Sequence, residues 1–527
     1  MSPNRILSRS RRCVLFCALG SICMTLTAAF SQAPLSAQQL SREQIHELTE
    51  ANADLGFSTY RELLSLPNDA SSPDDILRVL EWLETAFEDR GFETERLAMP
   101  GSDALLAARE APGTNRTLLI YLQADGQPVD PTQWFQESPW VPVLKEQTAD
   151  GEWETIPWEG LYGERDEDWR MFARSASDSK GPIAQFLTAL AILDEAGVTP
   201  DFNMKVIVDT EEEMGSPNLP EALLQYEDKL AADMLVIFDG PPHVSGEPTL
   251  TFGARGIATI TLTTYGPRVA QHSGHWGNYV PNPAVRLARI LASMKDEEGR
   301  VTIPGFYEGI TIDEETREIL SQVPDDIDAL HQRMGIAVPD AVADNPQEAI
   351  QYPSLNIRGM NAGWVGAQSR TIIPPTATAE IDVRLVLESD PERLIRLIRE
   401  HVEGLGYHLT AGEPTDEERT RYPKLASFTY DVSYRAYRTD FNSDVGRWLS
   451  AGFVHLFGEE PIRIRTSGGS IPISPFVTTL NVPAVSVGTV NPDNNQHSPN
   501  ENLRVGDFLR GIRIMMAVLS QPLADVS

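Results

Sequence analysis

Val206-Ile-Val-Asp-Thr-Glu-Glu-Glu-Met-Gly-Ser216 sets an apolar, β-branched run directly before three adjacent carboxylates, Glu211, Glu212 and Glu213, and a glycine. The run reads as a buried strand and the triplet as its exit. Adjacent carboxylates repel one another unless a cation or a proton intervenes. Successive side chains at a strand end diverge, so one carboxylate can face a metal while its neighbour faces a substrate. A solvated acidic loop has the same composition, so the triplet carries weight only if other strands end in similar groups.

Two others do. Thr117-Leu-Leu-Ile-Tyr-Leu122 runs into Gln123-Ala-Asp-Gly-Gln-Pro128, and Met234-Leu-Val-Ile-Phe238 runs into Asp239-Gly240. Between them Ala173-Arg-Ser-Ala-Ser-Asp-Ser-Lys-Gly181 leads into a strongly apolar helix from Ile183 to Ala196. Apolar strands alternating with helices indicate an α/β fold, a mostly parallel sheet covered by helices on both faces. Ligands bind such sheets outside the carboxyl ends of the strands, and Gln123, Asp125, Glu211 to Glu213 and Asp239 all fall there.

Further out, residues 41–64 and 73–90 carry apolar side chains at helical spacing, and residues 130–170 show no period and read as a long irregular excursion. From about Gly253 the pattern changes: 256–264 and 376–385 alternate as half-exposed strands, and helices are expected over 282–294 and from Pro391 to about Glu403. Alternating strands with two helices suggest an inserted α+β domain. The expected division is a leader over 1–37, a catalytic domain in two parts over 38–252 and 386–527, and the inserted domain over 253–385.

Composition bounds the function. With 527 residues, 41% hydrophobic and 23% charged, the chain is globular and long enough for more than one core. A formal charge of −33 excludes a nucleic-acid reader, which needs a basic face, and argues against anionic membrane surfaces. Arg5, Arg9, Arg11 and Arg12 precede an apolar stretch from Cys13 to Phe30 and a small-residue region from Ala33 to Ala37, the pattern of a signal peptide cleaved after Ala37. Ser10-Arg-Arg-Cys-Val-Leu15 is similar to a twin-arginine export signal. A periplasmic or secreted location is therefore expected, with no membrane span after leader removal. Cys13, Cys17 and Cys23 are the only cysteines and leave with the leader, so any metal site is built from imidazole, carboxylate and amide groups.

Gln123-Ala-Asp-Gly-Gln-Pro, Ser177-Asp-Ser-Lys-Gly, Glu212-Glu-Met-Gly-Ser, His272-Ser-Gly, Ser369-Arg-Thr-Ile-Ile-Pro, Ser467-Gly-Gly-Ser-Ile-Pro and His497-Ser-Pro-Asn-Glu501 follow one another in that order. Together they resemble the metal-dependent exopeptidases and amidohydrolases that include carnosinase-type dipeptidases, acetylornithine deacetylase and succinyl-diaminopimelate desuccinylase, over residues 45–520. That resemblance implies two divalent ions, zinc or manganese, bridged by Asp178. It gives one ion the further ligands Asp239 and the residue at 123, and the other Glu213 and His497. It makes Glu212 the general base for a metal-activated water, the inserted domain a lid or dimerisation domain, and His272 and Thr371 lid residues reaching a neighbouring subunit's active site in a homodimer. Arg384 and Ser470 match groups that hold a substrate carboxylate. The implied reaction is hydrolysis of a peptide or N-acyl amide bond next to that carboxylate, on small peptides or N-acyl amino acids.

One departure stands out. Where the resemblance calls for His-x-Asp, this chain has Gln123-Ala-Asp125. An amide oxygen can coordinate a cation, with Asp125 accepting a hydrogen bond from the amide NH₂ and orienting it, but it is a poorer zinc ligand than imidazole. One ion is then weakened. Gln123 also leaves open a second reading: an impaired family member that binds peptides or amino-acid derivatives without cleaving them.

Overall fold

The computed structural model describes residues 39–469 and 471–523. The predicted leader and Ser470 lie outside the described residues. No helix among those described is long and apolar enough to cross a membrane.

The three apolar runs form neighbouring strands, Asn203–Asp209, Thr117–Gln123 and Met234–Phe238, at the centre of an eight-stranded sheet. The outer two each pair in parallel with Thr117–Gln123 between them, and Ala484–Val487 extends the parallel set beyond Met234–Phe238. Antiparallel strands Glu93–Leu97 and Ala104–Arg109 finish one side. Alternate residues pack opposite faces: Ile120, Val206 and Val236 enter the larger core cluster, whereas Tyr121, Ile207 and Ile237 enter a smaller one on the other side. Buried on both faces, these strands can be apolar throughout. Helix Lys180–Glu195 is buried over nearly its whole length, which explains why its sequence lacks a polar face.

A second, five-stranded sheet has the order Ser354–Asn361, Thr376–Leu385, Gly256–Tyr265, Leu425–Tyr434, His408–Thr410. Its strands are antiparallel except the last pair. Gly256–Tyr265 alternates buried and half-buried positions, and helices Pro283–Ala292 and Pro391–Gly404 contribute to the core that covers the buried face.

Two expectations need correction. The boundary at 385 does not coincide with the end of this sheet, because Leu425–Tyr434 pairs with Gly256–Tyr265 along most of its length. That partner lies far back in the chain, so local pattern could not assign the strand to either sheet. Residues 130–170 are also not irregular throughout: Val143–Gln147, Trp153–Ile156 and Arg170–Phe172 join Asn502–Arg504 in a four-stranded sheet. Strands of three to five residues are too short to display a period.

Candidate active site

The parallel register sets Gln123 beside Asp209, so the loop after each central strand opens on the same edge. Gln123 ends the middle strand and Asp125 follows it, and they are 2% and 1% exposed. Glu212 and Glu213 lie in a short 3-10 turn, Glu212–Met214, after their strand, and Asp239 follows directly on the third. Asp178 is presented by the loop before helix Lys180–Glu195. His497 arrives from a distant loop with its backbone in the left-handed region at φ +59.

These residues converge. His497 Nε2 lies 2.8 Å from Asp178 Oδ2 and 3.2 Å from Glu213 Oε2. Ligand atoms from Asp178, Glu213 and His497 fall within 4.8 Å of one another, and two carboxylates with an imidazole form a donor set suited to zinc or manganese. The hydrogen bonds to Asp178 and then to Glu213 hold the His497 imidazolium pKa up at about 11, the response of a basic group standing where positive charge is wanted. Burial, followed by the nearby Asp239 and Asp178 charges, pushes the Glu212 carboxyl well above its ordinary range. Burial and then Asp178 raise Asp239 to about 7.

The other half of the site departs from the expected liganding. Gln123 presents its NH₂, not its carbonyl, to the acids: Nε2 donates to Asp178 Oδ1 at 2.7 Å and to Ser179 Oγ at 2.9 Å, and lies 3.4 Å from Asp239 Oδ1. Its Oε1 is buried without a hydrogen-bond partner. Asp125 does not orient the amide either; its Oδ2 accepts the backbone N–H of Glu213 at 2.9 Å. A neutral amide flanked by two acidic oxygens is electrostatically satisfied only with its N–H groups toward them. The residues present therefore fit an ion at Asp178, Glu213 and His497, and do not fit a second one at Gln123 and Asp239.

Several residues that build the site carry no obvious chemical signature. Glu501 is 1% exposed and gathers the Asp178 loop, accepting from the backbone N–H groups of Ser175, Ser177 and Asp178, each at 2.9 Å. Arg174 Nη1 completes this buried cluster at 2.8 Å. The signal for Glu501 was its place in His497-Ser-Pro-Asn-Glu501, a motif otherwise read for its histidine. Glu211 ties the acidic turn down: its carboxylate accepts from Ser102 N and from Asn218 Nδ2, both at 2.8 Å. Asp209 accepts from Tyr121 Oη at 2.9 Å and from the backbone N–H of Glu211 at 3.0 Å. Gly215 takes φ +85 in contact range of Tyr434 Oη, where a Cβ would collide; Tyr434 donates to the Gly215 carbonyl at 2.6 Å.

His272 and Thr371 are brought together but lie apart from the hydrogen-bond network of Asp178. Both are exposed, the short strand Gln271–His272 pairs with Ile372–Ile373, and the Thr371 carbonyl accepts the Ser273 N–H at 3.1 Å. His272 caps the turn that follows, its Nδ1 accepting from Gly274 N at 3.1 Å. Arg384 lies on the second sheet with Nε 3.7 Å from Asp382 Oδ2.

A family model described as peptidase family M20/M25/M40 matches residues 141–521. The chain belongs to this family. Among its relatives, a Cys-Gly metallodipeptidase of Schizosaccharomyces pombe is 24% identical over 511 residues, covering 93% of this chain and all of that one. A cysteinylglycine-S-conjugate dipeptidase of Corynebacterium striatum is 26% identical over 440 residues, 80% of this chain and 85% of the relative. The crystal structure of an M20 family metallo-carboxypeptidase from Sulfolobus solfataricus matches with a TM-score of 0.71 and 27% identity, over 88% of this chain and 98% of that one. Family membership makes the chain a metallopeptidase, a dipeptidase-like hydrolase, and bears out the resemblance drawn from its ordered motifs.

Proposed function

We propose that the chain cleaves a dipeptide, or a related N-acyl amino acid, at the amide bond next to a free carboxylate, with a divalent ion held by Asp178, Glu213 and His497. The observation that carries this reading is the Asp178–Glu213–His497 cluster with Glu212 one residue away. An ion held by Asp178, Glu213 and His497 would supply polarisation of the scissile carbonyl and a lowered pKa for the attacking water. Glu212, not among the three clustered ligands, takes the proton from that water and returns it to the leaving amine. Burial and neighbouring acids raise its pKa, moving a carboxylate toward the range in which it can both accept and release a proton. Glu213 stays in place because its backbone N–H is held by Asp125 and its Oε2 accepts from Gln127 Nε2 at 2.8 Å.

The remaining assignments are part of the same proposal. His272 and Thr371 act from a lid on the active site of a second copy in a homodimer, His272 supporting the oxyanion. Arg384 and Ser470 hold the substrate carboxylate, for which a planar guanidinium is well shaped. Residues 1–37 export the chain, so fractionation should find a product beginning near residue 38 outside the cytoplasm.

The test is turnover. Full-length mature protein loaded with manganese or zinc should hydrolyse members of a panel of dipeptides and N-acyl amino acids, and Glu212→Gln should reduce kcat by about 10²–10⁴-fold with metal content unchanged. No turnover across the panel by protein shown to contain metal would overturn the hydrolase reading in favour of a binding protein.

A further inference from the structure

We infer that the Gln123 amide fills the position of the second cation, so that this chain holds one divalent ion where the resemblance implies two. The inference rests on the metallohydrolase reading above and deepens it. Asp178, the carboxylate expected to bridge two ions, divides its oxygens between different kinds of partner. Oδ2 faces His497 at 2.8 Å and the Gln496 amide at 3.3 Å. Oδ1 accepts from Gln123 Nε2 at 2.7 Å and lies 3.0 Å from Ser179 Oγ. The Ser179 hydroxyl is also 3.1 Å from Asp239 Oδ1 and accepts from Gln123 at 2.9 Å. Gln123, Ser179, Asp178 and Asp239 thus close a polar ring in which N–H and O–H groups stand between the two carboxylates.

The orientation of an amide is settled by its surroundings, and here both orientations can be weighed. Turning Gln123 over would bring its carbonyl oxygen to the 2.7 Å position beside Asp178 Oδ1, setting acceptor against acceptor and forfeiting the N–H bonds to Asp178 and Ser179. Only a cation between the two acceptors would offset that loss. The observed orientation instead leaves Oε1 as the one unpartnered atom of the group, a smaller penalty than an amide oxygen pressed against an anion. Donor hydrogens and a metal ion cannot share the same face of Asp178 and Asp239. The contrast with the other half of the site is chemical as well as geometric: His497 has a nitrogen lone pair to offer when neutral, whereas the Gln123 NH₂ has none.

Metal counting tests this independently of activity. Full-length mature protein saturated with zinc or manganese, dialysed and measured by elemental analysis and titration calorimetry, should retain one ion per chain. Gln123→His should raise the count to two. Asp239→Asn should leave the wild-type count at one, whereas Glu213→Gln should abolish it. Manganese-loaded wild type should give the six-line electron paramagnetic resonance spectrum of an isolated ion. Two ions per wild-type chain, or a spin-coupled spectrum, would overturn the inference while leaving the metallohydrolase reading intact; no bound ion would overturn both. A one-ion wild type whose Gln123→His variant is folded by circular dichroism and stays at one ion would overturn Gln123 as the cause.

Discussion

The carboxyl edge of the central sheet and the exposed side of the second sheet both carry residues with catalytic potential, but they hold them in opposite ways. At the central edge Gln123, Asp125, Asp178 and Glu501 are nearly inaccessible, and their polar atoms are largely committed to partners within the chain. Away from it, His272 and Thr371 are exposed at a separate two-stranded ribbon, and on the second sheet Arg384 pairs with Asp382 at a long 3.7 Å. Burying a polar group without a partner costs free energy, so the central edge exists only as an assembled network. Exposed groups have water as an alternative and need no such network. Replacing residues at the central edge should therefore disturb folding and chemistry together, whereas on the second sheet the fold should scarcely respond.

The largest stability effect should come from Glu501, whose carboxylate serves the Asp178 loop and Arg174. Glu501→Ala leaves Arg174 buried and unpaired and should cost about 3–5 kcal/mol in urea unfolding; a loss under about 1 kcal/mol would mean that the loop is held by its packing alone. Metal removal comes next. At a free ion concentration one hundred times Kd, binding stabilises the folded state by about 2.7 kcal/mol, so chelation should lower Tm, and re-addition should restore it in wild type but not in Glu213→Gln. A smaller effect is expected where the two sheets meet: Tyr434→Phe removes the hydroxyl that donates to the Gly215 carbonyl and should cost about 0.5–1.5 kcal/mol, with a fall in kcat if that contact steadies the Glu212 turn. At the far end of the comparison, Arg358→Ala breaks a half-exposed pair with Glu380 at 3.6 Å and should change unfolding free energy by no more than about 1 kcal/mol. A larger loss there would erase the distinction between the two regions.

The edge was legible before the structure because its elements announce themselves locally. Apolar runs ending in acids or amides marked the strands that became Thr117–Gln123, Asn203–Asp209 and Met234–Phe238, and the alternation over 256–264 marked the centre of the second sheet. The same reading failed where the information was not local. Leu425–Tyr434 could have joined either sheet until its pairing with Gly256–Tyr265 was known. Glu211 is a loop anchor because Ser102, 109 residues back along the chain, and Asn218 meet it, which the triplet itself does not show.

What the sequence alone determined is the inventory: which strands are buried, which acids stand at their ends, and that position 123 is an amide. Which way that amide faces was decided only by tertiary structure. Asp178 lies 55 residues and Asp239 116 residues along the chain from Gln123, and until folding brings their oxygens to one side of it, nothing distinguishes its carbonyl from its NH₂. Hydrophobic periodicity is a property of neighbours in the chain, whereas the orientation of a buried dipole follows the charges that folding sets around it.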